Sequence, residues 1–220
     1  VLFEPMTDDL KGAIAKNVTD IVNYDPRVQV DLVTVDAFET GIQIELDFRA
    51  PDFTLPDVIT GESYSLSELK GEEGTAVFFI CNHCPFVIDI IDELVKIGND
   101  YLKKGIGFVV ISSNDIINYP DDSPKNMRLF AENNNFPFPY LYDETQEVAK
   151  AYSAACTPDI NVFNAELKCI YRGQMDNSRP GNDYKSDGKD LRKVFNYLLE
   201  NKEIDFEQLP SIGCGIKWKV

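Results

Sequence analysis

Two continuous apolar runs, at residues 74–80 and 106–111, flank an amphipathic segment and constrain the fold more than any other feature of the sequence. Each run has the length and composition of a strand that is buried on both faces. Between the runs, residues 85–104 carry apolar side chains at helical spacing. Because parallel strands need a crossover connection of about this length, the pattern predicts a parallel strand-helix-strand unit.

The sequence continues in the same style to its end. Spacing and turn residues predict further elements. The first are a helix opened by Ser123-Pro124, an extended piece at Tyr140-Leu141 and a short helix from Thr145 to Tyr152. Two antiparallel strands at 159–163 and 169–172 and a last helix from Lys189 to Glu200 follow. Together with the parallel unit, they predict a three-layer α/β sandwich over residues 50–220.

Residues 1–49 form a separate predicted segment. Thr7 is suited to cap a helix that Pro26 would end. Two alternating runs follow, the first at Val28, Val30 and Leu32 and the second at residues 42–48, joined through residues 39–41. The sequence therefore predicts a small N-terminal extension made of a helix and a β-hairpin.

Charge and composition exclude several classes of function. The chain has 220 residues, with 21 Lys and Arg against 37 Asp and Glu, a net charge of −16. So acidic a surface repels nucleic acid and anionic lipid, and the apolar runs are shorter than the roughly 20 residues of a membrane-spanning helix. We expect a cytoplasmic protein, and a periplasmic location stays open because the chain starts at Val1 rather than Met. The sequence does not indicate an oligomeric state.

The segment Cys81-Asn82-His83-Cys84 is placed where a buried strand gives way to a helix. The positive end of a helix stabilises thiolate, the form that attacks disulfides, and this spacing lets the two sulfurs join. We expect Cys81, nearer the strand and more exposed, to be the nucleophile and Cys84, one turn inside the helix, to release the product. His83, the only histidine, is expected to favour thiolate and make the pair more oxidising, against the alternative of a passive surface residue.

The other cysteines do not suggest a metal centre. A structural zinc site usually needs a second close pair, whereas Cys156, Cys169 and Cys214 are scattered. The sequence therefore predicts no metal and no cofactor, and a buried structural role for Cys169. The acidic residues Asp121-Asp122 and the loop from Asp176 to Asp187 are expected to be solvated.

Motifs spread over residues 50–220 resemble one family. They are Ala50 to Phe53, Phe79 to Phe86 around the cysteine pair, Cys156 to Asp159 before a strand, Tyr171 to Gln174, Ser178 to Gly181, and Ser211 to Cys214 with Lys217-Trp218. With these motifs the segment resembles the bacterial thioredoxin-like branch of the alkyl hydroperoxide reductase and thiol-specific antioxidant superfamily. The resemblance implies a thioredoxin-like fold and a disulfide-containing protein or a small-molecule thiol as the substrate.

The resemblance also implies that Thr157-Pro158 is a cis-proline turn facing the redox pair, with the backbone of Thr157 free to pair with an extended substrate. Cys156 would then lie near the active sulfurs, either as an additional redox thiol or as a packing residue. Cys214 would be either a third redox thiol on a mobile tail or an inert residue that caps the core beside Trp218.

Two departures from the wider family bear on the activity. The first leaves the direction of electron flow open, and the second argues against a peroxidase pocket. Thioredoxins carry Trp before the first cysteine and Gly-Pro inside the pair, whereas Ile80 and Asn82-His83 stand here. Peroxiredoxins carry a hydroxyl residue three positions before the peroxide-attacking cysteine, and Phe78 takes that position before Cys81. We therefore expect a thiol-disulfide oxidoreductase, with a thiol peroxidase as the alternative.

Residues 1–49 resemble a second family. The segments Leu2 to Thr7, Tyr24 to Val28 and Ile42 to Arg49 resemble the C-terminal half of the small lysozyme-like baseplate wedge protein of contractile-tailed phages. This resemblance implies a structural role in a phage tail and suggests a gene fusion. A third functional reading is therefore a phage-particle structural protein that carries an inert redoxin module.

Overall fold

The computed structural model describes residues 7–23, 30, 32–38 and 41–219. The strands and helices are, in chain order, α1 (Asp8–Asn23), β1 (Leu32–Phe38), β2 (Gly41–Asp47), β3 (Thr54–Pro56), β4 (Ser63–Ser65), α2 (Leu66–Leu69), β5 (Gly74–Phe79), α3 (Pro85–Tyr101), β6 (Ile106–Ser112), α4 (Pro124–Asn133), β7 (Tyr140–Tyr142), α5 (Glu147–Ala151), β8 (Cys156–Thr157), β9 (Asp159–Asn164), β10 (Cys169–Arg172), α6 (Lys189–Leu199) and β11 (Cys214–Gly215).

A five-stranded mixed sheet in the order β10-β9-β5-β6-β7 forms the centre of the molecule. The two apolar runs became β5 and β6, which pair in parallel with Gly74 opposite Ile106. β9 pairs antiparallel with β5 on its other side and carries β10 at the edge. The predicted parallel unit and antiparallel pair are therefore confirmed, and β5 is the central strand.

Two hydrophobic cores cover the two faces of this sheet. One core is formed with α3, α4 and α6, whose innermost residues include Leu94, Met127 and Phe195. The other is formed with α2, α5 and β3, and it also takes in Ile216 from the C-terminal segment. Alternate side chains of β5 enter opposite cores, as the period of a strand requires. The predicted three-layer α/β sandwich is thus confirmed.

An ion-pair network ties α6 to α3 on the outer side of the first core. The Arg192 guanidinium donates to Glu93 Oε1 at 2.7 Å and to Asp100 Oδ2 at 2.8 Å. Glu93 is largely buried, with a side-chain exposure of 11%. These charge-assisted hydrogen bonds fix the angle of the last helix against the helix that follows the cysteine pair.

The N-terminal segment contains the predicted helix and hairpin. The Leu10 N–H donates to Thr7 Oγ1 at 3.3 Å at the start of α1, and the predicted stop at Pro26 lies outside the described residues. The predicted first strand, at Val28, Val30 and Leu32, agrees only in part. Val30 lies outside a strand, β1 begins at Leu32 and continues to Phe38, and residues 28, 29 and 31 lie outside the described residues. The register accounts for the later start, because Leu32 pairs with Asp47 and Phe38 with Gly41, so that each strand has seven residues.

The backbone at residues 48–50 joins this segment to the sheet edge beside β10. Cys169 N–H donates to Phe48 O, Ala50 N–H donates to Leu167 O, and Arg49 pairs with Lys168 in a β-bridge. The domain boundary at residues 49 and 50 stays a prediction. Among the described helices, none has both the length and the apolar character that a bilayer crossing requires.

Candidate redox site

The cysteine pair lies at the carboxyl end of the central strand. Cys81 is in the loop after β5, and Cys84 is the N-cap residue of α3. The prediction that Cys84 lies one turn inside the helix was therefore wrong. Pro85 explains the difference, because proline suits the first helical position and disfavours the helical conformation in the residue before it.

Both cysteines are buried, with exposures of 1% for Cys81 and 0% for Cys84. Cys81 Sγ lies 3.4 Å from Thr157 Oγ1, and Cys84 Sγ lies 3.0 Å from the Thr157 carbonyl oxygen. The Thr157-Pro158 peptide is cis, as the resemblance implied. The expectation of an accessible Cys81 sulfur was wrong, because both sulfurs are buried and contact Thr157.

The two thiols interact so strongly that their pKa values move apart. A hydrogen bond to Cys84 raises the pKa of Cys81, and burial and the charge of Asp122 raise it further. The same bond lowers the pKa of Cys84 to about 4 against the effect of burial, helped by Thr157 and Cys214. The shared hydrogen bond therefore favours thiolate on Cys84 over Cys81. Which of the two sulfurs attacks a substrate stays a prediction.

Asp122 is the main residue of the site that sequence reasoning missed. The prediction placed it in a solvated loop, whereas it is fully buried beside the pair. Its Oδ1 accepts from Asn82 N–H at 2.8 Å, and its Oδ2 accepts from Asn114 Nδ2 at 2.7 Å. No local motif marks Asp122, because only the folded loop brings it next to residues 40 positions earlier.

His83 is held against this carboxylate rather than against a sulfur. Its Nδ1 lies 2.9 Å from Asp122 Oδ2, an ionic contact without the alignment of a hydrogen bond. The ring stacks on Tyr119 with centroids 6.1 Å apart, and 31% of the side chain stays exposed. A protonated His83 would therefore offset the negative charge that Asp122 presents to Cys81.

Cys81, His83 and Asp122 also offer three ligand atoms within 4.8 Å of one another, close enough for a metal ion. Both carboxylate oxygens of Asp122 already accept hydrogen bonds, and a structural zinc site takes four ligands. The arrangement therefore supports an electrostatic role for these groups, and the absence of a metal stays a prediction.

A second residue that sequence reasoning missed, Tyr140, contacts the segment between the two cysteines. It is fully buried, and its hydroxyl donates to Asn82 Oδ1 at 3.1 Å. Burial raises the pKa of Tyr140 well above its ordinary value, so the phenol stays protonated as a donor. From the sequence, Tyr140 is recognisable only as a residue of a short buried strand, without a link to the cysteine pair.

Cys156 and Cys169 both fit packing roles. The Cys156 thiol donates to Pro158 O at 3.4 Å, and burial, with the charge of Asp159, raises its pKa to about 12. Cys169 is half-buried at the edge of the second core, donates to Tyr171 O at 3.7 Å, and has its pKa raised by burial. A thiol that stays protonated reacts slowly, which supports the structural role predicted for Cys169.

The C-terminal segment occupies the position expected to be free for substrate. β11 pairs antiparallel with β8, with Cys214 opposite Thr157 and Gly215 opposite Cys156. The expectation of an open backbone edge at Thr157 was therefore wrong. Cys214 lies in this strand beside Cys84 and packs against the first core, rather than on a mobile tail.

The other acidic loop is also ordered by its own contacts. Asp176 is 1% exposed and accepts hydrogen bonds from the backbone or hydroxyl groups of Ser178, Ser186, Asp187 and Gly188. Burial raises the pKa of Asp176, but these hydrogen bonds outweigh it and the net shift is downward. The expectation of a solvated carboxylate was wrong here, because the loop folds around it.

Comparisons with known proteins agree with this geometry. Residues 47–173 match the model of the AhpC/TSA family. A curated relative, the thiol-disulfide oxidoreductase ResA of Geobacillus kaustophilus, is 27% identical over 143 residues, covering 63% of this chain and 75% of the relative. A crystal structure of an uncharacterised conserved protein from Geobacillus kaustophilus is 50% identical, covers 86% of this chain and 96% of its own, and superposes with a TM-score of 0.78.

The fold itself recurs in a putative thioredoxin from Neisseria meningitidis. That solution structure has a TM-score of 0.54 at 21% identity and covers 69% of this chain and 90% of its own. The likeness confirms the predicted thioredoxin-like fold. The family match, which spans more than half of the sequence and includes the cysteine pair and the cis-proline turn, leads to one conclusion: the chain belongs to the AhpC/TSA family.

Proposed function

We propose that this protein is a thiol-disulfide oxidoreductase whose redox centre is the Cys81 and Cys84 pair. The observation that carries the proposal is the contact of the two thiols with each other and with the cis Thr157-Pro158 turn. A pair that can join and part at a strand end is the arrangement that disulfide exchange requires. The activity named for the curated relative ResA supports the same class of reaction.

The electrostatics suggest an order of steps. The Cys84 thiolate attacks a substrate disulfide, forming a mixed disulfide and releasing the first substrate thiol. Cys81 then attacks the Cys84 sulfur, which closes the Cys81-Cys84 disulfide and releases the second substrate thiol. Cys81 loses its proton in that step, and the Asp122 and His83 pair beside it is placed to accept the proton.

The surroundings suit a protein or peptide disulfide. A cleft beside the pair is lined by Phe86, Pro158, Ile212 and the side chain of Arg179. Ile212 is 52% exposed, and Ile117, two residues before the Tyr119 that stacks on His83, is 82% exposed. Exposed apolar groups around a polar centre are typical of surfaces that bind another chain.

Turnover of a protein disulfide tests the proposal. With a dithiol donor, the wild-type protein is expected to reduce insulin, and Cys81→Ser and Cys84→Ser are each expected to lose about 100-fold or more in rate. Cys169→Ser, which alters a thiol outside the site, serves as the matched control. The assignment would be overturned if both cysteine variants kept full activity, or if the wild-type protein turned over peroxide rapidly and did not reduce insulin.

A further inference from the structure

We propose that Cys214 is a third catalytic thiol, which carries the disulfide between the buried pair and an outside partner. The inference rests on the proposed function and adds a residue to it. It starts from a conflict in the structure: Cys81 and Cys84 are 1% and 0% exposed, yet the proposed reaction needs a sulfur that a partner can reach.

The position of β11 places Cys214 against the pair. Cys214 is opposite Thr157 in the β8–β11 register, and Thr157 is the residue that both buried sulfurs contact. The Thr157 hydroxyl donates to Cys214 O at 3.5 Å, and the Cys214 thiol and N–H both face the Cys84 sulfur. Three thiols therefore meet at one residue of the cis-proline turn.

Gly213 shows that this approach is built into the backbone. A Cβ at Gly213 would lie 2.0 Å from the Thr157 oxygen and 3.0 Å from the Pro158 nitrogen. Only glycine allows the two backbones to come so close. The residue before Cys214 thus brings the third thiol within reach of the pair.

Contacts on both sides hold the segment in place. Ser211 Oγ donates to Gly173 O at 2.8 Å on one side of Cys214. On the other side, Ile216 is buried in the second core, and Lys217 N–H donates to Asn114 Oδ1 at 2.8 Å. Cys214 is therefore a fixed neighbour of Cys84, and exchange with Cys84 does not require the segment to leave.

Exposure and chemistry separate Cys214 from the other candidate thiol. Cys214 is half-buried, so it reaches solvent where Cys81 and Cys84 do not. Cys156 is also half-buried, but its thiol is turned to Pro158 O and Ser211 O. Of the thiols around the cis-proline turn, Cys214 alone combines contact with Cys84 and access from outside.

The exchange balances without a further reactant. In the reducing direction, Cys214 attacks a substrate disulfide, and one substrate thiol leaves. Cys84 then attacks the Cys214 sulfur of that mixed disulfide, the second substrate thiol leaves, and a Cys84-Cys214 disulfide forms. Cys81 attacks Cys84, the Cys81-Cys84 disulfide closes, and Cys214 recovers its proton as a thiol. The substrate disulfide gains the two electrons that Cys81 and Cys84 lose.

A trapping experiment tests the new bond. The full-length Cys81→Ser protein is oxidised with diamide and digested, and its disulfides are mapped by mass spectrometry. We expect a Cys84-Cys214 disulfide in more than about half of the molecules, because Cys214 is the remaining thiol in contact with Cys84. A Cys84-Cys156 disulfide, or no disulfide at Cys84, would overturn the inference.

A kinetic arm tests whether the bond is used. The Cys81-Cys84 disulfide is formed first, and its reduction by glutathione is followed in wild type, Cys214→Ser and Cys169→Ser. We expect Cys214→Ser to slow the reduction about tenfold or more and Cys169→Ser to leave it within about twofold. An unchanged or faster rate in Cys214→Ser would show that the residue only covers the pair. Failure of the wild-type pair to form a disulfide would instead refute the proposed function itself.

Discussion

Ile216 is the anchor of the segment that covers the redox pair, so its truncation offers a direct test of that cover. The side chain is 6% exposed and belongs to the second core, two residues after Cys214. Ile216→Ala removes buried apolar atoms from the segment and leaves Cys81, Cys84 and Thr157 unchanged. We expect the segment to open more often and the pair to become reactive.

The size of the effect follows from the burial. An Ile-to-Ala change in a core typically costs about 2–5 kcal/mol, and part of the site is able to relax because the segment lies at the surface. A loss of about 2–4 kcal/mol in docking free energy raises the open fraction by roughly 30- to 900-fold, at 1.36 kcal/mol per factor of ten. If opening is fast compared with labelling, the alkylation rate rises by the same factor.

The assay is the rate of iodoacetamide labelling of Cys84, followed residue by residue by peptide mass spectrometry. Leu55→Ala is the matched control, because Leu55 is 8% exposed in the same core but outside the C-terminal segment. We expect Leu55→Ala to lower the global stability without a comparable rise in labelling. Equal rates in the wild type and Ile216→Ala, or equal rises in both variants, would refute the idea that this segment shields the pair.

Three further predictions concern charge. In a Cys84→Ser background, Asp122→Asn should lower the pKa of Cys81, because a neighbouring carboxylate opposes thiolate formation. Thiolate ultraviolet absorbance against pH measures the change, and an unchanged titration would contradict the assigned effect of Asp122. His83→Ala should make the reduction potential of the pair more negative by about 30 mV or more, since Asp122 then faces Cys81 without the imidazole contact. Equilibration with glutathione measures the potential, and an unchanged or more positive value would contradict the prediction. Arg192→Ala should lower the free energy of unfolding by about 1–3 kcal/mol, because it loses its hydrogen bonds to Glu93 and Asp100. Urea unfolding measures the loss, with Arg128→Ala as the control, since the partner Glu132 is exposed. Equal losses in the two variants would contradict the prediction.

Periodicity and turn residues predicted most of the fold. The apolar runs of β5 and β6 are long enough to identify buried strands, and Ser123-Pro124 marked the start of α4 because proline suits a first helical turn. The first strand of the N-terminal hairpin was predicted only in part: Val30 lies outside it, and β1 continues from Leu32 to Phe38 because those residues pair with β2. The domain boundary, the compartment and the phage resemblance stay predictions.

The sequence predicted which residues form the candidate site, but not how deeply they are buried or which charged groups surround them. The spacing of Cys81 and Cys84 identified the pair, and the resemblance identified the cis-proline turn. Burial of the pair could not be read from the sequence, since the contacts come from distant parts of the chain. Thr157 lies 76 residues after Cys81, and Cys214, which pairs with it, lies another 57 residues on. Asp122 escaped notice for the same reason: a charge in a loop looks solvated until the fold shows what surrounds it.

The most direct test of the central claim is the redox titration of the Cys81 and Cys84 pair in the full chain, with disulfides mapped at each glutathione ratio. The account predicts one two-electron couple, with the Cys81-Cys84 disulfide as its oxidised form and a tenfold change in the equilibrium ratio for about every 30 mV. An absence of that disulfide across the whole range of potentials would contradict it. A two-electron couple that persists in the double variant carrying both Cys81→Ser and Cys214→Ser would contradict it as well.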